Sequence, residues 1–287
     1  MRSSTLKNNC DHHHITCKLH MNFPETLNGS TLYTFHSHTE FCDGRATMEA
    51  FARKAVEMHF THYGFTPHSP IPIESSCNMH RDNVERYLAE VQRIRADYGD
   101  RCQFYAGMEV DYLGDECGPA DEHFRSLPLD YTIGSVHFIK NQEGHFVDID
   151  GRFESFKLKM QQHFGNDIRY VVETFYEQSH RMLTAGGFDI LGHLDKIGHN
   201  ASQFQPGIED EPWYRALADS LVDHAIASGV VVEINTKAWE SAGRIFPAPR
   251  LIERLRQAGV TLLVNSDAHV PALINAGRAH ALALLNS

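Results

Sequence analysis

A chain of 287 residues with 42% hydrophobic and 22% charged side chains has the balance of a soluble globular protein with a full core, and its length suits one large barrel domain or two ordinary ones. No apolar run approaches the roughly 20 residues that a bilayer-crossing helix needs, which argues against a membrane protein. A formal net charge of -11 argues against general nucleic-acid binding, because phosphate backbones repel a net-negative surface and no basic patch is visible to offset it.

Residues 1–30 are polar and aperiodic, with none of the apolar stretch a secretory signal requires, so they read as an irregular N-terminal extension on a cytoplasmic protein. The run His12-His13-His14, with Cys10, Cys17 and His20, has the residue types of a zinc site but no paired spacing that fixes tetrahedral geometry. The remaining cysteines, Cys42, Cys77, Cys102 and Cys117, are equally scattered, and all six read as reduced thiols. From residue 31 onward, β-rich runs at 31–36, 60–66, 103–109, 131–137, 188–193, 230–236 and 260–266 alternate with segments of helical period at 47–58, 82–98, 168–185, 214–227 and 249–258. Gly186 and Gly259 are the expected helix stops. This is the pattern of an α/β protein built from βα units around a parallel sheet, with residues 31–287 as a single domain.

The count of 20 histidines exceeds what packing ordinarily recruits, and their positions carry the argument. His36, His38, His68, Glu109, His137, His193, Asn235, Lys237, Asp267 and His269 all fall at or just past the C-terminal end of an expected strand. In a βα barrel those ends converge on one face, where barrel enzymes place their sites. His36-Ser37-His38 puts two imidazoles on one side of an extended segment, and Asp43 returns from the loop after it. Pro67 ends the second strand and delivers His68; Glu109 follows an apolar run and needs a cation to offset its burial. Gly134-Ser135-Val136-His137, Gly192-His193-Leu194-Asp195 and Asn265-Ser266-Asp267-Ala268-His269 complete the series.

These motifs, in this order and spacing, resemble the polymerase and histidinol phosphatase (PHP) superfamily over residues 31–285, and within it the stand-alone histidinol-phosphatase branch. The resemblance implies a distorted seven-stranded (β/α)7 TIM-like barrel with two or three divalent metal ions, and hydrolysis of L-histidinol phosphate to L-histidinol and phosphate in histidine biosynthesis. Carried over motif by motif, one metal is held by His36, His38, Glu109 and Asp267, a second by Asp43, His68 and His269, and a third by His137 and His193 with Glu109 bridging. Asp43 stands where many members carry histidine, which implies a shift toward harder ions. Imidazole and carboxylate donors without thiolate suit Zn, Mn or Fe.

The chemistry expected of such a centre is in-line attack on phosphorus by a metal-bound hydroxide held by Glu109, Asp267 and His38, with no covalent phosphoenzyme. Lys237 and Arg244 are candidates to bind the phosphate of a small-molecule phosphate ester, and each has a solvated surface charge as its alternative. Asp195 and Lys196 are candidates to support the ligating histidines, with helix capping as the alternative for Asp195. Residues 69–80 either cover the pocket or form an ordinary surface loop. His199 lies near the expected pocket mouth, while His59, His80, His123, His163, His180, His224 and His280 read as surface or packing residues. The competing functions are hydrolysis of nucleotides or oligonucleotide ends, and a non-catalytic metal-binding module.

Overall fold

A computed structural model describes residues 21–286. Among them ten strands run in chain order: β1 (Tyr33–Thr34), β2 (His62–Phe65), β3 (Gln103–Ala106), β4 (Glu109–Asp111), β5 (Ile133–Ser135), β6 (Phe138–Lys140), β7 (Phe146–Asp148), β8 (Ile190–Leu191), β9 (Val231–Asn235) and β10 (Leu262–Asn265). They form a three-stranded sheet in the order β1-β2-β3, a five-stranded sheet in the order β10-β9-β8-β5-β4, and the two-stranded pair β6-β7. Both larger sheets are parallel throughout, as helical crossovers between successive strands require. Isolated parallel bridges link the sheets on both flanks, Ser37 to Ala268 beside β1 and β10, and His68 to Glu109 beside β2 and β4.

Each of the seven expected strand segments contains a strand, but the third is broken in two. The chain changes neighbours at Gly107, with β3 pairing β2 before it and β4 pairing β5 after it. A Cβ at Gly107 would lie 2.6 Å from the Tyr131 ring, so only glycine lets the backbone pass there. The antiparallel pair β6-β7 and the helices Phe153–His163 and Ile197–Phe204 went unforeseen. Phe153–His163 buries only Phe156 and Met160, too thin an apolar stripe to stand out as a period.

The longer helices form where the apolar period predicts. Ile168–Ala185 is capped by the Asp167 side chain accepting from the Tyr170 amide, and Pro249–Gln257 begins on proline and buries Leu251, Ile252 and Leu255. Gly186 and Gly259 close these helices with φ of 66° and 75°.

Residues 21–30 correct the expectation of an irregular extension. Phe23–Leu27 is a helix whose N-cap Asn22 accepts from the Glu25 amide. Phe23 packs edge-on against Phe35 and Tyr131, at centroid distances of 5.0 and 5.7 Å, so this segment plugs the core. The histidine run, Cys10, Cys17 and His20 lie outside the described residues. Among the described residues Cys42, Cys77, Cys102 and Cys117 are free thiols, and no helix is long and apolar enough to cross a membrane.

Candidate metal centre

All nine donors expected from the sequence meet at one place, with Glu109 at the middle. Its Oε2 lies 3.2 Å from His36 Nε2, 3.3 Å from His38 Nε2 and 3.1 Å from His68 Nδ1. Its Oε1 lies 3.0 Å from His193 Nε2 and 3.5 Å from His137 Nε2. Asp267 Oδ1 reaches His38 Nε2 at 3.1 Å, and Asp43 Oδ1 reaches His269 Nε2 at 3.3 Å. Asp267 has φ of 48°, a left-handed turn at the end of β10 that aspartate tolerates better than most residues.

The grouping differs from the one carried over by motif. Donor atoms close enough to share one cation fall into three sets: His38, Asp43, His68 and His269; His36, His38 and Asp267; and His68, Glu109 and His137. His38 and His68 thus each stand between two sets. His193 touches Glu109 and His137 without joining any of the three.

Two buried carboxylates that had no assigned role orient the imidazoles. Glu233 Oε1 lies 2.7 Å from His36 Nδ1, and Asp111 Oδ1 lies 2.6 Å from His137 Nδ1. Each contact draws the ring proton to Nδ1 and leaves Nε2 free to face the centre, the usual role of a carboxylate behind a metal-binding histidine. Glu233 is held in turn by the amides of Asn235 and Asn265. The signal was a charge inside the apolar run Val231-Val232-Glu233-Ile234, which burial permits only with partners.

The electrostatics fit a cation. Asp43 Oδ1, His68 Nδ1, Glu109 Oε2 and Asp267 Oδ1 are buried and accept or donate no hydrogen bond, and each of the four residues belongs to at least one of the three donor sets. The 3.1 Å approach of His68 Nδ1 to Glu109 Oε2 is therefore a contact without hydrogen-bond direction. Burial alone would lower the His36 pKa, yet the surrounding Glu233, Glu109 and Asp267 push it up to about 10. Burial would raise the Glu109 carboxyl, but His36, His68 and His137 hold it well below the ordinary carboxylate range. Left without a metal, the carboxylates hold protons on His36 and His38, while burial lowers the pKa of His68 and His193 and takes that of His269 down to about 4.

A cavity of about 490 Å³ opens beside these donors, lined among others by Lys237, Lys196, Arg45, Arg152 and His199. Lys237 Nζ lies 3.4 Å from Asp267 Oδ1, and Lys196 Nζ lies 3.9 Å from Asp267 Oδ2 and 2.8 Å from Asp150. Lys196, expected only as a support, therefore faces the cavity. Arg244 does not. It makes two bonds to Glu209, of 2.8 and 2.7 Å, and this pair draws its guanidinium out of the cavity lining. Asp195 caps no helix with its side chain; it accepts from the Ala248 amide, and burial pushes its pKa up to about 6. Arg244→Ala should accordingly lower stability by about 2 kcal/mol, the order of a charged hydrogen-bonded contact, and leave KM unchanged. Denaturant unfolding beside steady-state kinetics checks this, and a raised KM at unaltered stability would contradict it.

The sequence profile of the PHP domain matches residues 34–237. This chain belongs to the PHP domain family. The matched span begins at β1 and ends at Lys237, so it holds seven of the nine donors and stops short of Asp267 and His269. The PHP chain is 25% identical over 263 residues to the histidinol-phosphatase of Bacillus subtilis, an alignment covering 82% of this chain and 92% of that one. Its fold matches that of a Listeria monocytogenes structure assigned to the histidinol phosphatases, with a TM-score of 0.75 at 19% identity, covering 86% of this chain and 99% of the other. It also matches the histidinol phosphate phosphatase of Lactococcus lactis, solved with zinc, L-histidinol and phosphate, with a TM-score of 0.61 at 15% identity and coverage of 89% and 93%.

Proposed function

We propose that this PHP chain is a phosphoric monoester hydrolase that releases phosphate from L-histidinol phosphate, leaving L-histidinol. The observation that carries the reading is the convergence of nine nitrogen and oxygen donors, four of them with unpartnered buried atoms, beside two lysines that flank Asp267. The Bacillus and Lactococcus relatives support the choice of substrate, and the Lactococcus complex supports zinc. In the fold, the two bridges between sheets support a distorted seven-stranded barrel, with β3 and β4 together filling one strand position.

Bound in these donor sets, divalent cations would activate water for attack on phosphorus and neutralise charge developing on the phosphoryl oxygens. Glu109, Asp267 and His38 belong to that centre. Lys237 and Lys196 supply fixed positive charge for the phosphate dianion from the two sides of Asp267, a role in which Lys196 replaces Arg244. Glu233 and Asp111 keep His36 and His137 in the tautomer that presents Nε2 inward.

A cavity of about 490 Å³ is the size of ordinary small-ligand pockets, which favours a small ester over a nucleic-acid end. The test is phosphate release by metal-loaded protein from histidinol phosphate, set against mononucleotides and oligonucleotide ends. Histidinol phosphate should exceed every nucleotide by about a hundredfold or more in kcat/KM, the scale of discrimination a polar site provides. A preference for nucleotides would overturn the substrate assignment.

A further inference from the structure

The segment 69–80 runs past the cavity and is tied down by Asn78, whose side-chain amide is fully engaged. Nδ2 donates to the Ser69 carbonyl at 2.8 Å and to Asp111 Oδ2 at 2.7 Å, while Oδ1 accepts from the Ser75 hydroxyl at 2.6 Å. Ser75 Oγ also accepts from the Cys77 amide at 3.2 Å, and the Met79 amide donates to the carbonyl of His68 at 3.0 Å. The two ends of the segment are thereby drawn together, and one arm of the knot reaches into the metal centre.

That arm is Asp111. It is fully buried, and its carboxylate is shared between two donors: Oδ2 takes the Asn78 amide and Oδ1 takes the Nδ1 proton of His137 at 2.6 Å. His137 then turns Nε2 toward His193 Nε2 at 3.2 Å and Glu109 Oε1 at 3.5 Å. A carboxylate held at one oxygen rotates about its last side-chain bond; one held at both does not. The donor that stops the rotation belongs to the segment, not to the barrel.

We propose that Asn78 is a positioning residue that sets His137 through Asp111, so that this one side chain of the segment 69–80 is coupled to cation affinity at the set containing His137. This rests on reading His137 as a metal donor, and it is independent of which ester is cleaved. The physical basis is that groups behind a metal-binding histidine fix its orientation and basicity, and that their loss typically weakens metal binding about 10- to 100-fold. Asn78 stands one bond further out than Asp111, so its removal should cost less, about three- to tenfold.

The test is a double-mutant cycle read on zinc affinity, by titrating the chelator-stripped full chain against a chromogenic competitor, alongside kcat and KM for histidinol phosphate. Asn78→Ala should weaken zinc about three- to tenfold in the wild-type background and not further once Asp111→Asn is present. Ser75→Ala, which loosens the same segment without touching Asp111, should leave zinc affinity within about twofold. Equal losses from Asn78→Ala in both backgrounds, equal losses from Ser75→Ala and Asn78→Ala, or undiminished affinity in Asn78→Ala would each overturn the coupling. If Asn78→Ala fails to fold, Asn78→Ser, too short to reach Asp111, carries the same expectation. Because the zinc readout needs no substrate, inert histidinol phosphate with an intact cycle would refute the proposed substrate and spare the coupling.

Discussion

Glu109→Gln should lower phosphate release by at least about a thousandfold in kcat, equivalent to roughly 4 kcal/mol of lost transition-state stabilisation, while the protein stays folded. Glu109 is in contact with five imidazoles, those of His36, His38, His68, His137 and His193, so its charge is shared among more ligands than any other donor's. Glutamine keeps the shape and can still accept the 2.7 Å bond from Ser135 Oγ at Oε1. What it loses is the negative charge that sets the centre's demand for a cation, and its amide presents hydrogens to imidazoles that need a carboxylate oxygen. A cooperative thermal transition in the variant, together with its zinc content, separates lost chemistry from lost fold. Activity above about a tenth of wild type would remove Glu109 from the centre of the mechanism.

Stripping the protein with a strong chelator should abolish turnover, and Mn, Zn or Fe should restore it, with apparent metal affinity that rises with pH. The sign follows from what occupies the emptied site. Burial lowers the His36 pKa, but the carboxylates around it win and push it up to about 10, so the metal-free protein carries a proton there at neutral pH. The same contest, with Cys42, Asp267 and Glu109 as the raising groups, takes His38 well above its ordinary value. A cation must expel those protons, and raising the pH removes the competitor. Affinity should climb by up to about tenfold per pH unit for each proton displaced. Metal titrations of stripped protein at pH 6, 7 and 8 check it; affinity that is flat across that range, or highest at the acid end, would show that His36 and His38 do not bind the cation.

Much of the centre was legible because its residues punctuate the chain at a regular place. His36, His68, His193 and Asp267 each mark the point where an apolar run gives way to a loop, whereas Glu109 opens β4 and His137 stands between β5 and β6, and parallel strands bring these points to one face. Gly186 and Gly259 were equally readable, since a left-handed helix stop selects for glycine locally. The helix Phe23–Leu27 was not, because a single turn buries Phe23 and Leu27 at a spacing that any polar linker can show by chance. Nor was the break between β3 and β4: Gly107 is required by the Tyr131 ring, twenty-odd residues away in the chain and adjacent only after folding.

The amino-acid sequence by itself determined the inventory of donors, their order and the face on which they would gather, since strand alternation and strand ends are short-range properties. Only the tertiary structure decided how the donors divide into sets, that His38 and His68 stand between them, and that Glu233 and Asp111 sit behind His36 and His137. It also decided between two similar cations, sending Arg244 to Glu209 and Lys196 to the cavity. The reason is that a charged side chain takes whichever partner packing places within about 3 Å, and that partner is set by torsions and distant segments rather than by spacing along the chain.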